Sequence, residues 1–193
     1  MVFSDEQLML LFGRGRREAF DELYHRYATK LFRYLSKMLA RSNLDVEDLV
    51  QEVFVRVSNA APNYKATAKF STWLYRIATN TCLSQLDSQK RRPHLRVIEG
   101  GKERTATYGY PLKSLEQTEG EIALEKAVST LSDEQRAVFV LRQVEQLSYE
   151  EISESLHMPI GTVKTNLHRA RKQLVNNLQS LLTNQNSLRG EQR

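Results

Sequence analysis

Along most of this chain the apolar positions recur every three or four residues, the stride that places them on one face of an α-helix. Between Asp5 and Leu39 the residues Phe20, Leu23, Tyr24, Tyr27, Leu31, Tyr34, Leu35 and Met38 follow it, and Gly13 and Gly15 interrupt it near the start. A short helix followed by a long one is predicted. Tyrosines on an apolar helix face are far more often packing residues than ligand contacts, so this stripe predicts core. From Asn43 to Asn59 a second pattern turns Val46, Leu49, Val50, Val53 and Val57 inward and leaves Glu47, Asp48, Gln51, Glu52 and Arg56 outside. Residues 60–71 lose the periodicity and contain Pro62, which predicts a loop. Ser71 then stands where a cap is wanted for a helix whose Leu74, Ile77, Ala78, Thr81 and Leu86 pack inward.

The stretch 93–118 has neither a helix nor a strand period and holds Gly100, Gly101, Gly109 and Pro111. A structureless span of that length is out of place inside a compact domain, so a boundary is predicted there. Helical spacing resumes with Ile122, Leu124 and Val128, and Ser132 with Gln135 forms a capping box before a helix carrying Val138, Leu141 and Val144. The predicted fold is all-α: a helical domain over 1–92, a flexible linker over 93–118, a second helical domain over 119–182 and a polar, frayed tail over 183–193.

The chemistry concentrates in Leu147 to Leu174, which reads as two helices joined by a tight turn. Ser148 and Glu151 make a capping box, and His157, Met158 and Pro159 break the run. Pro159 and Gly161 punctuate the turn. In the second helix Val163, Leu167, Ala170 and Leu174 form the buried stripe, which leaves Lys164, Thr165, His168, Arg169, Arg171 and Lys172 on the opposite face. A capped short helix, a tight turn and a second helix with one apolar and one basic stripe predict a helix-turn-helix whose second helix enters the DNA major groove. Its N-terminal residues lie nearest the base edges, so Lys164, Thr165 and His168 are the candidate base readers. Arg169, Arg171 and Lys172 reach bases or phosphates, and spacing alone does not divide them.

A weaker signal lies upstream. Tyr64, Lys65, Lys69 and Phe70 fall in the loop, and Trp73, Arg76 and Asn80 line up beside it at i, i+3 and i+7. Stacking surface, phosphate contact and amide in one place are the equipment for holding single-stranded nucleic acid. On the preceding helix Asp48 and Glu52 put like charges four residues apart, which destabilises an isolated helix by about 0.2 to 0.5 kcal/mol. A basic protein partner accounts for keeping both, and plain solubility is the competing account. A metal or acid/base role is rejected, because the carboxylates are expected on an exposed face with no histidine at ligand spacing.

Composition changes this picture little. The chain has 193 residues, a formal net charge of +5 and a pI near 9.3, which suits a polyanionic partner. Cys82 is the single cysteine, so no disulfide within the chain is expected. The N-terminus lacks signal-peptide features and no apolar run reaches membrane length, which predicts a cytoplasmic protein without membrane insertion. No phosphate-binding glycine loop, metal-ligand spacing or activated nucleophile is present, so neither enzymatic activity nor a cofactor is expected.

Taken together, the segments DVEDLVQEVFVRV, KFSTWLYRIATNTC and LSYEEISESLHMPIGTVKTNLHRARKQL resemble regions 2.2, 2.3 and 4.2 of the extracytoplasmic function (ECF) group of bacterial sigma factors. The resemblance covers nearly the whole chain. It implies that the helix around Asp48, Gln51 and Glu52 docks on the clamp helices of the largest subunit of core RNA polymerase. It implies that residues 62–80 capture the minus-10 element as it melts, with a base pocket near Lys65 to Phe70, Lys69 included, and contacts from Trp73, Arg76 and Asn80. The C-terminal domain is then implied to read minus-35 duplex DNA through Lys164, Thr165, His168, Arg169 and Arg171, with Arg142 on a phosphate. The resemblance further implies an anti-sigma inhibitor. In one respect the chain departs from housekeeping sigma factors, which carry a paired-tryptophan wedge: here there is only Trp73, so weaker melting and dependence on a well-matched promoter are expected. His168 and Asn166 stand where relatives vary, so the preferred minus-35 sequence is not implied. Two other readings share parts of the pattern: a two-domain activator binding duplex DNA without polymerase, against which the absence of a strand and helix alternation in the first half argues, and a helical adaptor for acidic proteins.

Overall fold

The computed structural model describes residues 3–91 and 119–190, and the linker expected at 93–118 lies outside the described residues. Among the described residues the regular structure is entirely helical: α1 (Asp5–Gly13), α2 (Arg17–Met38), α3 (Val46–Ala60), a 3-10 turn (Ala61–Asn63), α4 (Phe70–Arg91), α5 (Glu119–Ser129), α6 (Asp133–Gln143), α7 (Tyr149–Leu156) and α8 (Ile160–Gly190). The chain divides into two compact units, one from α1, most of α2, α3 and α4, the other from α5 to α8, with Ser36–Arg41 grouped with the second.

In the first unit the aromatic stripe is packing, as its spacing predicts. Tyr27, Leu31 and Tyr34 of α2 are buried with Leu49, Val50, Val53 and Phe54 of α3 and Leu74, Tyr75 and Ala78 of α4. Phe20 and Tyr24 pack against Phe54, with ring centroids 5.9 and 4.7 Å apart. The Tyr34 hydroxyl, fully buried, shares a 2.6 Å hydrogen bond with Thr79 Oγ1, so the phenol enters the core without an orphaned polar atom. At α3 the Asp45 side chain accepts from the amides of Glu47 and Asp48 and starts the helix.

α1 has a role its sequence did not announce. Ser4 and Gln7 form a capping box at its start. Asp5 accepts from Arg26 Nη1 at 2.6 Å and from the Tyr27 hydroxyl, fastening α1 to α2. Gly13 and Gly15 separate in function: Gly15 has φ +93° and makes the break, whereas a Cβ on Gly13 would lie 2.6 Å from the carbonyl oxygen of Ala61. Gly13 is there for close backbone approach.

In the second unit Ser132 with Gln135 and Ser148 with Glu151 form the two capping boxes that the sequence predicts. Val163, Leu167, Ala170 and Leu174 of α8 are all buried. Arg136, which the sequence did not mark, is 3% exposed and donates to the carbonyls of Ser129 at 3.0 Å and Leu131 at 2.9 Å. The guanidinium closes the C-terminus of α5 where no glycine is available.

Two sequence expectations differ from the structure. The left-handed residue of the helix-turn-helix is His157, with φ 49° and ψ 45°, while Gly161 is the second residue of α8 and meets nothing where a Cβ would stand. The turn is therefore 157–159, held by Met158 N–H on Ser153 O at 3.0 Å and Ser153 Oγ on Met158 O at 2.6 Å. The second difference is the tail: α8 continues to Gly190, since no proline or glycine stands between Leu182 and Gly190 to stop it.

Candidate nucleic-acid interface

α8 presents an exposed, largely basic surface. Its buried stripe fixes the rotation of the helix, and Lys164, Thr165, His168, Arg169, Arg171 and Lys172 are all exposed on the other side. Thr165 Oγ1 donates to Gly161 O at 2.8 Å, so its hydroxyl proton is spent within the helix and its methyl and lone pairs remain for a partner. Asn166 turns the other way: it is 7% exposed and its amide meets Met158 Sδ at 3.5 Å, which makes it a support of the turn. Tyr149, at the first position of α7, lies near two cations, with Arg142 Cζ 5.1 Å and Lys164 Nζ 5.8 Å from its ring centroid. Sequence reasoning missed it; an aromatic directly after a helix cap was the available signal. Arg142 is half-buried and donates from Nη1 to Leu147 O at 2.7 Å, so part of its guanidinium already holds the α6–α7 connection.

The second surface is the loop before α4. Lys65, Lys69 and Asn80 are exposed, and Trp73 and Arg76 are half-buried. The Trp73 ring leans on Tyr64 at 5.0 Å and Phe70 at 5.9 Å, leaving part of its surface outward. Phe70 corrects an expectation. It is fully buried, with its ring 5.2 Å from Tyr27 and 6.4 Å from Tyr64, so it carries the loop from beneath and offers no face to nucleic acid. The reason is that α4 begins at Phe70 and not beyond Ser71, which turns that first side chain inward. Phe70→Ala is expected to destabilise the first unit by about 3 to 5 kcal/mol, measured by urea unfolding; a loss under 1 kcal/mol would contradict its burial.

The cap that Ser71 was expected to supply comes from another helix: Phe70 N–H donates to Glu6 Oε1 of α1 at 2.8 Å. Burial raises the Glu6 carboxyl's pKa, but hydrogen bonds from the Phe70 amide, its own amide and Ser4 outweigh it and hold the group below 4.5. Because the folded value is depressed, its contribution is present above 4.5 and is lost as pH falls through the folded value. Thermal unfolding followed as a function of pH is expected to lose stability below that point, and Glu6→Gln to lose less of it. Burial also pushes the Tyr64 phenol up to about 12, reinforced by Glu6 and Asp5, so the hydroxyl stays protonated beside the two carboxylates.

The third surface lies on α3. Asp48 and Gln51 are exposed, and Val55 joins them at 57% exposure. Glu52 is half-buried and engaged on both oxygens, by Arg56 Nη2 at 2.6 Å and by Gln85 Nε2 of α4 at 3.1 Å. It ties α3 to α4, so Asp48 and Gln51 are the groups turned outward. Among the described residues no cluster of His, Cys, Asp and Glu can hold a metal, and no helix is long and apolar enough to cross a membrane.

Among the described residues the regular structure is all-helical, with a helix-turn-helix in one unit and an exposed loop of cations beside an aromatic in the other, and by class this is a DNA-binding protein. Residues 23–92 match the family model of sigma-70 region 2 and residues 121–174 that of sigma-70 region 4. The chain is 32% identical over 186 residues to an ECF RNA polymerase sigma-E factor of Haemophilus influenzae, covering 93% of this chain and 97% of that protein. It is 31% identical over the same length to the ECF RNA polymerase sigma-E factor of Escherichia coli K12, of which 96% is covered. Among solved structures, CnrH in complex with the cytosolic domain of CnrY matches with TM-score 0.65 and 20% identity, covering 91% of this chain and 97% of that one. The sigma factor RpoE of Bartonella quintana, in complex with the anti-sigma factor NepR, matches with TM-score 0.65 and 24% identity over 83% and 96%. These two likenesses establish the fold. The chain belongs to the ECF group of the sigma-70 family, and its function is to direct promoter-specific initiation by RNA polymerase. The catalysis belongs to the polymerase.

Proposed function

We propose that the promoter is divided between the two units: α8 reads minus-35 duplex DNA, and residues 62–80 capture the displaced minus-10 strand while α3 holds the protein on core polymerase. What carries this reading is the single helix α8, in which a buried stripe and six exposed polar and cationic side chains share the same residues 163–174. Lys164, Thr165 and His168 sit nearest the bases, and Arg169, Arg171 and Lys172 further along hold phosphates. Arg142 adds at most a phosphate contact with the part of its guanidinium not spent on Leu147. In the first unit Lys65 and Lys69 neutralise the backbone of the single strand, Trp73 supplies the stacking edge, and Arg76 and Asn80 offer base-edge hydrogen bonds. Capturing unstacked bases offsets a melting cost of a few kcal/mol.

The functional boundaries in this reading are 1–92 for polymerase and minus-10 binding, 93–118 for the connection, 119–182 for minus-35 binding and 183–193 for the tail. The site of action is the cytoplasm, and an anti-sigma protein, such as the one bound to the Bartonella quintana relative, is the regulatory partner. The decisive experiment is run-off transcription with purified core polymerase followed by sequencing of the transcripts. Discrete start sites that share two upstream motifs are the expected result; transcripts indistinguishable from core polymerase alone would reject the reading.

A further inference from the structure

The loop between the 3-10 turn and α4 is flanked on both sides by contacts with α1, one on the 3-10 turn and one on the first residue of α4. Before it, at the first residue of the 3-10 turn, Gly13 lets the backbone of α1 approach Ala61 so closely that a Cβ would lie 2.6 Å from the Ala61 oxygen. At its end, the Glu6 carboxylate takes the Phe70 amide at 2.8 Å. Between these points Lys65, Ala66, Thr67 and Lys69 are exposed, and Tyr64 is the loop's one strongly buried side chain. The Tyr64 ring supports Trp73 at 5.0 Å. α1 is itself held to α2, because Asp5 bridges Arg26 at 2.6 Å and accepts from the Tyr27 hydroxyl. The ring of Tyr27 in turn lies 5.2 Å from Phe70.

We propose that α1 is the template of the strand-capturing loop, and that Glu6 and Gly13 are positioning residues that set Lys65, Lys69 and Trp73 for the displaced minus-10 strand. This rests on the minus-10 reading given above. The physical argument is preorganisation. A loop of this kind left free at one end samples many conformers, and binding then bears the cost of ordering it. Fixing both ends to one short helix lowers that cost before the strand arrives. A carboxylate bonded to a helix's first amide is a charge-assisted contact, stronger than the neutral serine cap that the local sequence offers at Ser71.

The test uses the full chain assembled with core polymerase and a fluorescein-labelled single-stranded oligonucleotide bearing the minus-10 sequence found by transcript mapping. Glu6→Ala is expected to weaken binding of this probe about tenfold, while Glu6→Gln, whose amide oxygen still accepts from the Phe70 amide, stays within about twofold of the parent. Gly13→Ala, with Glu6 intact, is expected to weaken it in the same direction. Binding to core polymerase and to a minus-35 duplex is expected to stay unchanged in all three. The template role is overturned if Glu6→Ala and Gly13→Ala bind the probe like the parent. It is equally overturned if they lower the thermal midpoint and weaken core, duplex and single strand alike, for that is a purely structural effect. Lys65→Ala combined with Trp73→Ala separates the two levels of the argument: weakened probe binding there, without any effect of Glu6→Ala, removes only the template, whereas no effect in either removes the minus-10 reading itself.

Discussion

Asp48→Lys combined with Gln51→Lys is expected to weaken association with core RNA polymerase by about a hundredfold, equivalent to about 2.7 kcal/mol. The two side chains are exposed on one face of α3, so their replacement leaves the core of the first unit intact. Lysine is also a good helix former, although a cation in the first turn loses the favourable interaction that Asp48 makes with the helix dipole, at about 0.3 to 1 kcal/mol. Co-purification with polymerase is the measurement, and far-UV circular dichroism the control. Undiminished co-purification with an unchanged spectrum would place the docking surface elsewhere. Glu52 is unsuited to this experiment, because its bonds to Arg56 and Gln85 make any loss ambiguous between docking and folding.

Lys164→Ala with Arg169→Ala is expected to reduce protection of the minus-35 element in a footprint by at least about tenfold. Both side chains are exposed, and neither belongs to the buried stripe of α8. If both neutralise phosphates, the slope of log affinity against log salt also falls by about 1.8; if Lys164 reads a base, the slope falls by about 0.9 and discrimination at one base pair relaxes. Unchanged occupancy at every salt concentration would mean that α8 does not enter the groove. The loss of Lys164 also removes a cation from beside Tyr149, so Tyr149→Ala serves as the comparison that separates positioning from contact.

The amphipathic pattern of α8 is legible in the sequence because everything about it is local. Val163, Leu167, Ala170 and Leu174 set the rotation, and with the rotation settled the exposed set follows from the 3.6-residue period. The capping boxes at Ser132 and Ser148 span three residues and are legible for the same reason. Much of what escaped depends on partners far along the chain, the Ser4–Gln7 box and Tyr149 being local exceptions. The Arg56 partner of Glu52 lies four residues away and on the same helix, but Gln85 lies thirty-three away, and no periodicity announces it. Glu6 meets the Phe70 amide across sixty-four residues, so local sequence points to the nearest serine as the start of α4 and to Phe70 as loop surface. An apolar residue at a loop's end looks exposed until the helix that covers it is known. The turn of the helix-turn-helix misled in a different way: glycine is the usual left-handed residue, whereas here His157 takes that conformation one position after Leu156.

The unbroken course of α8 from Ile160 to Gly190 makes it a rod about 46 Å long at 1.5 Å per residue. Its far half therefore keeps a set angular phase relative to the exposed side chains of Lys164 to Lys172. A ligand that grips the distal turns steers them as a lever would, and an insertion of one residue between the halves, by swinging the far end through about 100°, uncouples grip from aim.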